Sequence, residues 1–330
     1  MITVSRIAGL VSLLAAGACI AAADPIITVL YDPTVGFSAA DQAAIQNAIN
    51  FYASNISSNF SVTIAFGSQA SGGGSSQWFT DTASYNSYYN ALVANSSGDA
   101  TDLSALASLG GGPQIDNPVT GSTNIVMTST LAALFGVGSQ ASDTFANCGG
   151  LAANACITLS QAALNVGGVP LAGLSGIVQH EFDEVLGTAS NLPNGGGALP
   201  ADPMPGDLYR YSAPGVHGFA LNTSTDVPCT GSPTAYLSVD GGTTNLNNYN
   251  NCNNGGDYGD WIGTSGTQVQ DAFGPDTQAA SLNLTSPEVT LLDAAGYNFN
   301  PTVTSVPEPS TMWMLLTALA AVPLLRKRRS

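Results

Sequence analysis

Residues 173 to 187, GLSGIVQHEFDEVLG, constrain the fold more than any other stretch. Leu174, Ile177, Val178, Phe182, Val185 and Leu186 recur at helical spacing, so the segment reads as a helix with one broad apolar face. Gly187 ends it, as a C-terminal glycine does. His180, Glu181, Asp183 and Glu184 ride on the same helix. A core that covers the apolar face must therefore sit beside a polar region that accepts an imidazole and three carboxylates.

The chain before this helix reads as alternating strands and helices. IITVLYD (26–32) is β-branched and apolar and ends at Asp-Pro, which marks a strand and a turn. Ser38, with Asp41 three residues later, forms a variant capping box for a long helix bearing Ala44, Ile45, Ala48, Ile49 and Tyr52. FSVTIAFG (60–67) alternates like a strand, and SQASGGGSSQW (68–78) has the composition of a flexible loop. ASYNSYYNALVAN (83–95) and TDLSALASL (101–109) are expected as short helices, NIVMTSTLAALFG (124–136) as a strand running into a helix, and ACITLSQ (155–161) as a strand. From 188 to 280 the chain is rich in Gly, Asn, Pro, Thr and Ser, and only AYLSVD (235–240) reads as a strand. SPEVTLLDAAGYNF (286–299) closes with a helix, Ser286 as its cap, Pro287 in the first position and Leu291, Leu292 and Ala295 inward. The expected fold class is α+β: an N-terminal mixed sheet with helices, a central active-site helix and an irregular C-terminal lobe. The domain spans 24–305, with an N-lobe at 24–187 and a C-lobe at 188–305, hinged near the central helix.

The two ends carry different signals. Residues 1–23 combine Arg6 with the apolar run IAGLVSLLAAGACIAAA, the pattern of a secretory signal peptide cut after Ala23. A lipoprotein reading through Cys19 is disfavoured by Ala16 three residues before it. At 306–330, VPEPS precedes a short apolar run and the basic end RKRRS. Pro307, Glu308 and Pro309, the apolar segment and the basic cluster together resemble the PEP-CTERM sorting signal of Gram-negative bacteria. That resemblance implies processing by an exosortase, membrane contact through the tail before processing, and residence in the cell envelope or outside the cell. A plain C-terminal anchor is the competing reading.

Charge narrows the partners. Between 24 and 305 stand 21 of the 22 carboxylates but one basic residue, Arg210, against a net charge of −16 for the whole chain. Such a surface repels phosphate backbones and excludes nucleic acid as a partner. It attracts divalent cations; Asp240, Asp257, Asp260 and Asp271, set among glycines and asparagines, are candidate ligands for Ca2+, against solvated acidic turns. Four cysteines follow the signal segment, and an even number in an exported chain reads as disulfides. Proximity favours Cys148–Cys156 and Cys229–Cys252; a four-cysteine zinc site competes but lacks any CxxC spacing.

On the central helix, His180 and Glu184 are four residues apart and project from one face. An imidazole and a carboxylate so placed can share a zinc ion. Glu181, directly after the histidine, stands where zinc proteases carry the general base that deprotonates a water. The competing reading is an ordinary acidic amphipathic helix. Glu181 and Glu184 as a glycosidase pair is a third reading, but one helix holds them too close together for most such mechanisms.

HEFDEVLG follows HExxHxxG, the metzincin signature, except for Glu184 in place of the second histidine. With DLYRYSAPGV (207–216), YLSVDGGTTNLNNYN (236–250), GDYGDW (256–261) and LLDAAGY (291–297), the chain resembles a group of exported, metzincin-like metalloproteases that often carry PEP-CTERM tails. In that group glutamate is usual at the second ligand position. The resemblance implies a zinc-dependent peptidase of the zincin type acting on protein or peptide substrates. A metzincin has its third ligand three residues after the glycine, where this chain has Ser190. Asp207 is the first substitute and His217, the only other histidine, the second. Met204 is a candidate for the methionine turn beneath the metal, against a chance methionine in a loop. Tyr209 and Tyr211 are candidates for steadying an oxyanion, against packing between the lobes. Arg210 is expected either in a structural ion pair, with Asp207 or the active helix, or on a substrate carboxylate. A non-catalytic envelope or extracellular-matrix protein on a degenerate protease scaffold is the alternative function. Ser190 favours that alternative, while Glu181 favours the enzyme.

Overall fold

The computed structural model describes residues 25–112, 114–164, 171–193, 198–263, 267–274 and 280–299. The signal segment 1–23 and the sorting motif Pro307, Glu308 and Pro309 lie outside the described residues. The architecture is mixed α and β, compatible with the α+β class, with six α-helices among the described residues.

Strand β1 (Ile26–Tyr31) runs parallel to β2 (Ser61–Gln69), and helix α1 (Ala39–Asn55) joins them. The Ser38 cap forms as the sequence suggests. Ser38 Oγ accepts from the Asp41 N–H at 3.1 Å and Asp41 Oδ2 accepts from the Ser38 N–H at 2.9 Å, two helix-start donors satisfied reciprocally. α1 buries Ile45, Ala48, Ile49 and Tyr52.

The segment read as a flexible loop is instead part of the sheet. β2 continues to Gln69, and Gly74–Trp78 forms β3. Two registers decide this: β8 (Ala155–Ser160) lies parallel to β2, and β3 pairs antiparallel with the far side of β8 from Gly74↔Leu159 to Trp78↔Ala155. The sheet order is β1-β2-β8-β3, which leaves β3 on an edge. β8 is buried along all six residues, as its apolar composition requires. Alternating Ser, Gln and Gly in β3 hid it, because its environment is half-exposed.

Between β3 and β8 the chain makes an antiparallel pair, β4 (Thr80–Ser84) with β5 (Asn124–Thr128), and three helices, α2 (Tyr85–Asn95), α3 (Ala100–Ser108) and α4 (Ser129–Leu134). A short hairpin of β6 (Asp143–Phe145) and β7 (Leu151–Ala153) follows, and the Cys148–Cys156 disulfide ties it to β8. Helix α5 (Leu174–Leu186) packs on α1 and β3. Tyr52 meets Phe182 edge-to-face at 4.7 Å.

Beyond α5, regular structure is as sparse as composition suggests. β9 (Arg210–Ala213), β10 (Val216–His217), β11 (Tyr236–Leu237) and β12 (Asn247–Asn248) form one antiparallel sheet in the order β10-β9-β11-β12. Only Tyr236 and Leu237 of the strand expected at 235–240 pair as one. Cys229 joins Cys252 in the second disulfide. Helix α6 (Pro287–Ala295) returns to the core with Leu291, Leu292 and Ala295 buried. Ser286 stands at its N-cap position, but its hydroxyl accepts from the Asn283 N–H at 3.0 Å rather than from the helix. One apolar cluster runs from Ile45 through Phe182 to Phe299. No helix among the described residues is long and apolar enough to cross a membrane.

Candidate metal centre

The apolar face of α5 is driven into the core through Leu174, Val178, Phe182, Val185 and Leu186, which are each 0 % exposed. That burial fixes the rotation of the helix and turns His180, Glu181 and Glu184 into a cleft of about 480 Å³. The cleft is walled by β3 on one side and by irregular segments around 255–260 and 268–274 on the other. Its volume lies in the range of small-ligand sites.

Asp260 enters this cleft from the C-terminal region. Ligand atoms of His180, Glu184 and Asp260 all lie within 4.8 Å of one another. His180 Nδ1 lies 2.9 Å from the Val269 carbonyl, to which it donates, and Nε2 faces Asp260 Oδ1 at 3.5 Å. A backbone carbonyl that fixes the tautomer in this way is the usual support of a metal-binding imidazole. The His180 carbonyl in turn accepts from Gln270 Nε2 at 2.8 Å. Ser76 Oγ, from β3, donates to Glu184 Oε2. Glu181 lies against Gly74 of the same strand: a Cβ added at Gly74 would stand 2.5 Å from Glu181 Oε1. A larger residue here would push the Glu181 carboxylate aside.

The electrostatics are those of carboxyls drawn out of water beside an imidazole. Burial lifts the Glu184 carboxyl well above its ordinary range, and Glu181 lifts it further. Burial raises Asp260 to about 7, against the pull of His180. Burial also raises Glu181. Burial alone would strip the proton from His180, but Asp260, Glu181, Glu184 and the Val269 carbonyl outweigh it and hold the imidazole up to about 10. Burial favours the neutral form of these carboxyls, while the imidazolium of His180 pulls each of them back toward the charged form. Asp260 Oδ1 is buried with no hydrogen-bond donor. An orphaned carboxylate oxygen facing an imidazole nitrogen and a second carboxylate is what a metal ion satisfies. One nitrogen and two carboxylates suit Zn2+ better than Ca2+, which takes oxygen ligands.

Asp260, rather than Asp207 or His217, is the residue that stands with His180 and Glu184. Asp207 accepts from Ser190 Oγ at 2.6 Å and from the N–H groups of Asn191 at 3.0 Å and Met204 at 2.9 Å, so its carboxylate closes a buried turn. Ser190, at the metzincin third-ligand position, is one of its donors. His217 stacks on Tyr211 at 4.4 Å and bonds to the Arg210 carbonyl at 3.1 Å. Met204 is buried at the Asp207 turn and does not line the cleft. Tyr209 donates to the Ala294 carbonyl at 2.9 Å, a packing role.

Arg210 forms no ion pair within 4 Å among the described residues, although Asp207 lies near enough to favour its charge. It is 1 % exposed, and its guanidinium donates to the Gly218 and Tyr258 carbonyls and to Asn251 Oδ1 at 3.0, 2.5 and 2.7 Å, while lying 4.3 Å over the Tyr249 ring. These oxygens, rather than a carboxylate, hold it because irregular chain surrounds it.

The four aspartates proposed for Ca2+ do not gather. Asp240 accepts from Ser238 Oγ and from Thr244 in a turn of its own, whereas Asp257, Asp260 and Asp271 line the cleft. Among the described residues a second carboxylate group, Asp99, Asp102 and Asp293, has ligand atoms within 4.8 Å of one another. Protein donors already serve it: Ser96 Oγ, Ser97 Oγ and the Gly98 N–H on Asp102, and the Phe299 N–H on Asp293.

Sequence reasoning placed Asp260 among calcium-type turns and missed Ser76, Gly74 and Val269. Residues 74–76 lie about a hundred positions before α5 and Asp260 eighty after it, so no local spacing links them. Comparison of the chain with protein-family models, with curated proteins and with solved structures finds no match in any of the three.

Proposed function

We propose that this protein is an exported zinc-dependent peptidase of metzincin-like type. The observation that carries the reading is the convergence of His180, Glu184 and Asp260 within 4.8 Å beside Glu181, in a cleft bounded by an edge strand. Zinc, when bound, supplies the Lewis acidity that polarises a peptide carbonyl and acidifies water. His180 Nε2 and one oxygen each from Glu184 and Asp260 would hold it. Glu181, on the same helix face and outside that set of three, takes the proton of the attacking water and returns it to the departing amine. Its burial raises its proton affinity, which strengthens it as a base. Gly74 and Ser76 fix the carboxylates from the side of β3. The free edge of β3 offers backbone donors and acceptors to an extended peptide, which aligns it along the cleft by strand addition.

The two disulfides agree with an oxidising, extracytoplasmic compartment. Signal-peptide removal at Ala23 and exosortase processing at Pro307–Pro309 complete the proposal.

The test is metal content by mass spectrometry on the purified full chain, beside His180→Ala and Glu181→Gln, followed by a peptide-cleavage assay. The expected result is about one zinc per chain, lost with His180→Ala and kept with Glu181→Gln, which abolishes cleavage. Folded, zinc-supplied protein without metal would sink the peptidase reading and leave the envelope or matrix protein standing.

A further inference from the structure

We infer that Glu288, in the first turn of α6, is the positioning residue that locks both irregular segments of the metal centre onto helix α5. The inference rests on the metal-centre reading above. Glu288 is 0 % exposed, and its Oε1 accepts two hydrogen bonds, from Trp261 Nε1 at 2.9 Å and from the Gln270 N–H at 3.1 Å. Trp261 directly follows Asp260, the third ligand. Gln270 directly follows Val269, whose carbonyl holds His180 Nδ1. One carboxylate oxygen therefore grips the residue next to the third ligand and the residue next to the imidazole's support.

The grip closes a ring. Trp261 N–H donates to the Gln270 carbonyl at 2.7 Å, so the two segments are also tied to each other. Gln270 Nε2 donates to the His180 carbonyl at 2.8 Å, and His180 Nε2 faces Asp260 Oδ1 at 3.5 Å. Passing from His180 through Val269, Gln270, Glu288, Trp261 and Asp260 returns to His180. Without the Glu288 link the segments still touch one another and Gln270 Nε2 still reaches α5, but neither Trp261 nor the Gln270 N–H is held to α6.

A merely structural role explains this less well. An acidic residue in a first turn favours the helix dipole from an exposed position, without burial. Here the carboxylate is buried, and Glu288 Oε2 has no hydrogen-bond partner. Leaving a carboxylate oxygen unsatisfied in the core is costly, and a leucine would fill the space without that penalty. What leucine cannot supply is one acceptor for two donors belonging to two different segments of the site.

Co2+ binding to the full chain tests this without recourse to catalysis, read as the ligand-field absorption band and as affinity in chelator competition. Glu288→Leu is expected to stay folded by circular dichroism, to lose Co2+ affinity by about 10- to 100-fold, the range for residues that orient metal ligands, and to shift the band. Glu288→Gln keeps the Oε1 acceptor and is expected to retain band and affinity. Leu292→Ala, buried on the same helix, lowers the melting temperature but leaves both unchanged. The proposal falls if folded Glu288→Leu binds Co2+ like the wild type, or if Leu292→Ala shifts the band as Glu288→Leu does. Should Glu288→Leu fail to fold, Trp261→Phe removes one donor; weakened Co2+ binding supports the link and unchanged binding overturns it. Absence of Co2+ binding by the wild type would instead overturn the metal centre itself.

Discussion

Replacing Gly74 by alanine probes the placement of the general base without touching a ligand. A Cβ at this position would lie 2.5, 2.8 and 2.9 Å from Glu181 Oε1, Cγ and Cδ, whereas ordinary contact begins near 3.4 Å. The side chain can yield more readily than the paired strand, so the Glu181 carboxylate must retreat by about 1 Å. A misplacement of that size costs about 100-fold in rate when the moved group takes part in the reaction. Alanine suits a strand at least as well as glycine, so the fold should lose about 1 kcal/mol or less. The expected variant therefore melts close to the wild type, binds zinc in the same stoichiometry and cleaves a peptide about 100-fold more slowly, with the loss in kcat rather than in KM. Measuring all three on the same preparation separates a displaced base from a lost metal or a damaged sheet. Wild-type kcat in a folded, zinc-loaded Gly74→Ala protein would refute the assignment of Glu181 as the base. Loss of zinc would show that β3 supports the ligands instead.

Further substitutions separate ligands from turn-formers and test the buried carboxylates. Asp260→Ala is expected to abolish stoichiometric zinc, while Asp207→Ala and His217→Ala keep it. Asp207→Ala should instead cost about 2–3 kcal/mol in urea denaturation, because three donors in a buried turn lose their acceptor; zinc lost from Asp207→Ala and kept by Asp260→Ala would reverse the assignment. Away from the cleft, burial and then Asp99 lift the Asp293 carboxyl from its ordinary 3.8 to about 7, with Asp102 adding to the effect. Between those values the folded chain binds more protons than the unfolded one, so this group removes stability as pH rises through the window. Asp293→Asn should therefore be more stable than the wild type at neutral pH, with the gain vanishing below about pH 4. Stability curves that stay parallel from acid to neutral pH would contradict that cause.

How much of this was legible before the structure depends on how far each contact reaches along the chain. The capping box at Ser38 and Asp41, the apolar face of α5 and its stop at Gly187 are local, and they form as their residues dictate. His180 and Glu184 share a face for the same reason, since a helix alone sets that geometry. β3 is the counterexample. Its sequence, GSSQW, has no apolar stripe, and it becomes a strand because the edge of β8 supplies its hydrogen-bond partners. Asp207 misled for a related reason: a carboxylate shortly after the helix looks available, yet the turn at 204–207 consumes it.

The Asn- and Gly-rich composition of the C-terminal region also takes on a physical meaning. Irregular backbone that is buried must find hydrogen-bond partners without a ladder. Asn251 donates to the carbonyls of Ala220 and Pro233 and accepts from Arg210, while Asn222 serves the Thr230 carbonyl and the Ser224 N–H. Arg210, the only arginine or lysine between 24 and 305, is likewise spent on carbonyls. The scaffold of loops thus holds the guanidinium away from the cleft. Glu181, Glu184 and Asp260 remain buried together, with His180 as their only basic neighbour. A fold that buries its acids around an imidazole and keeps its arginine elsewhere leaves His180 as the positive charge beside them, and on the reading proposed above a divalent metal held by His180, Glu184 and Asp260 would supply the rest.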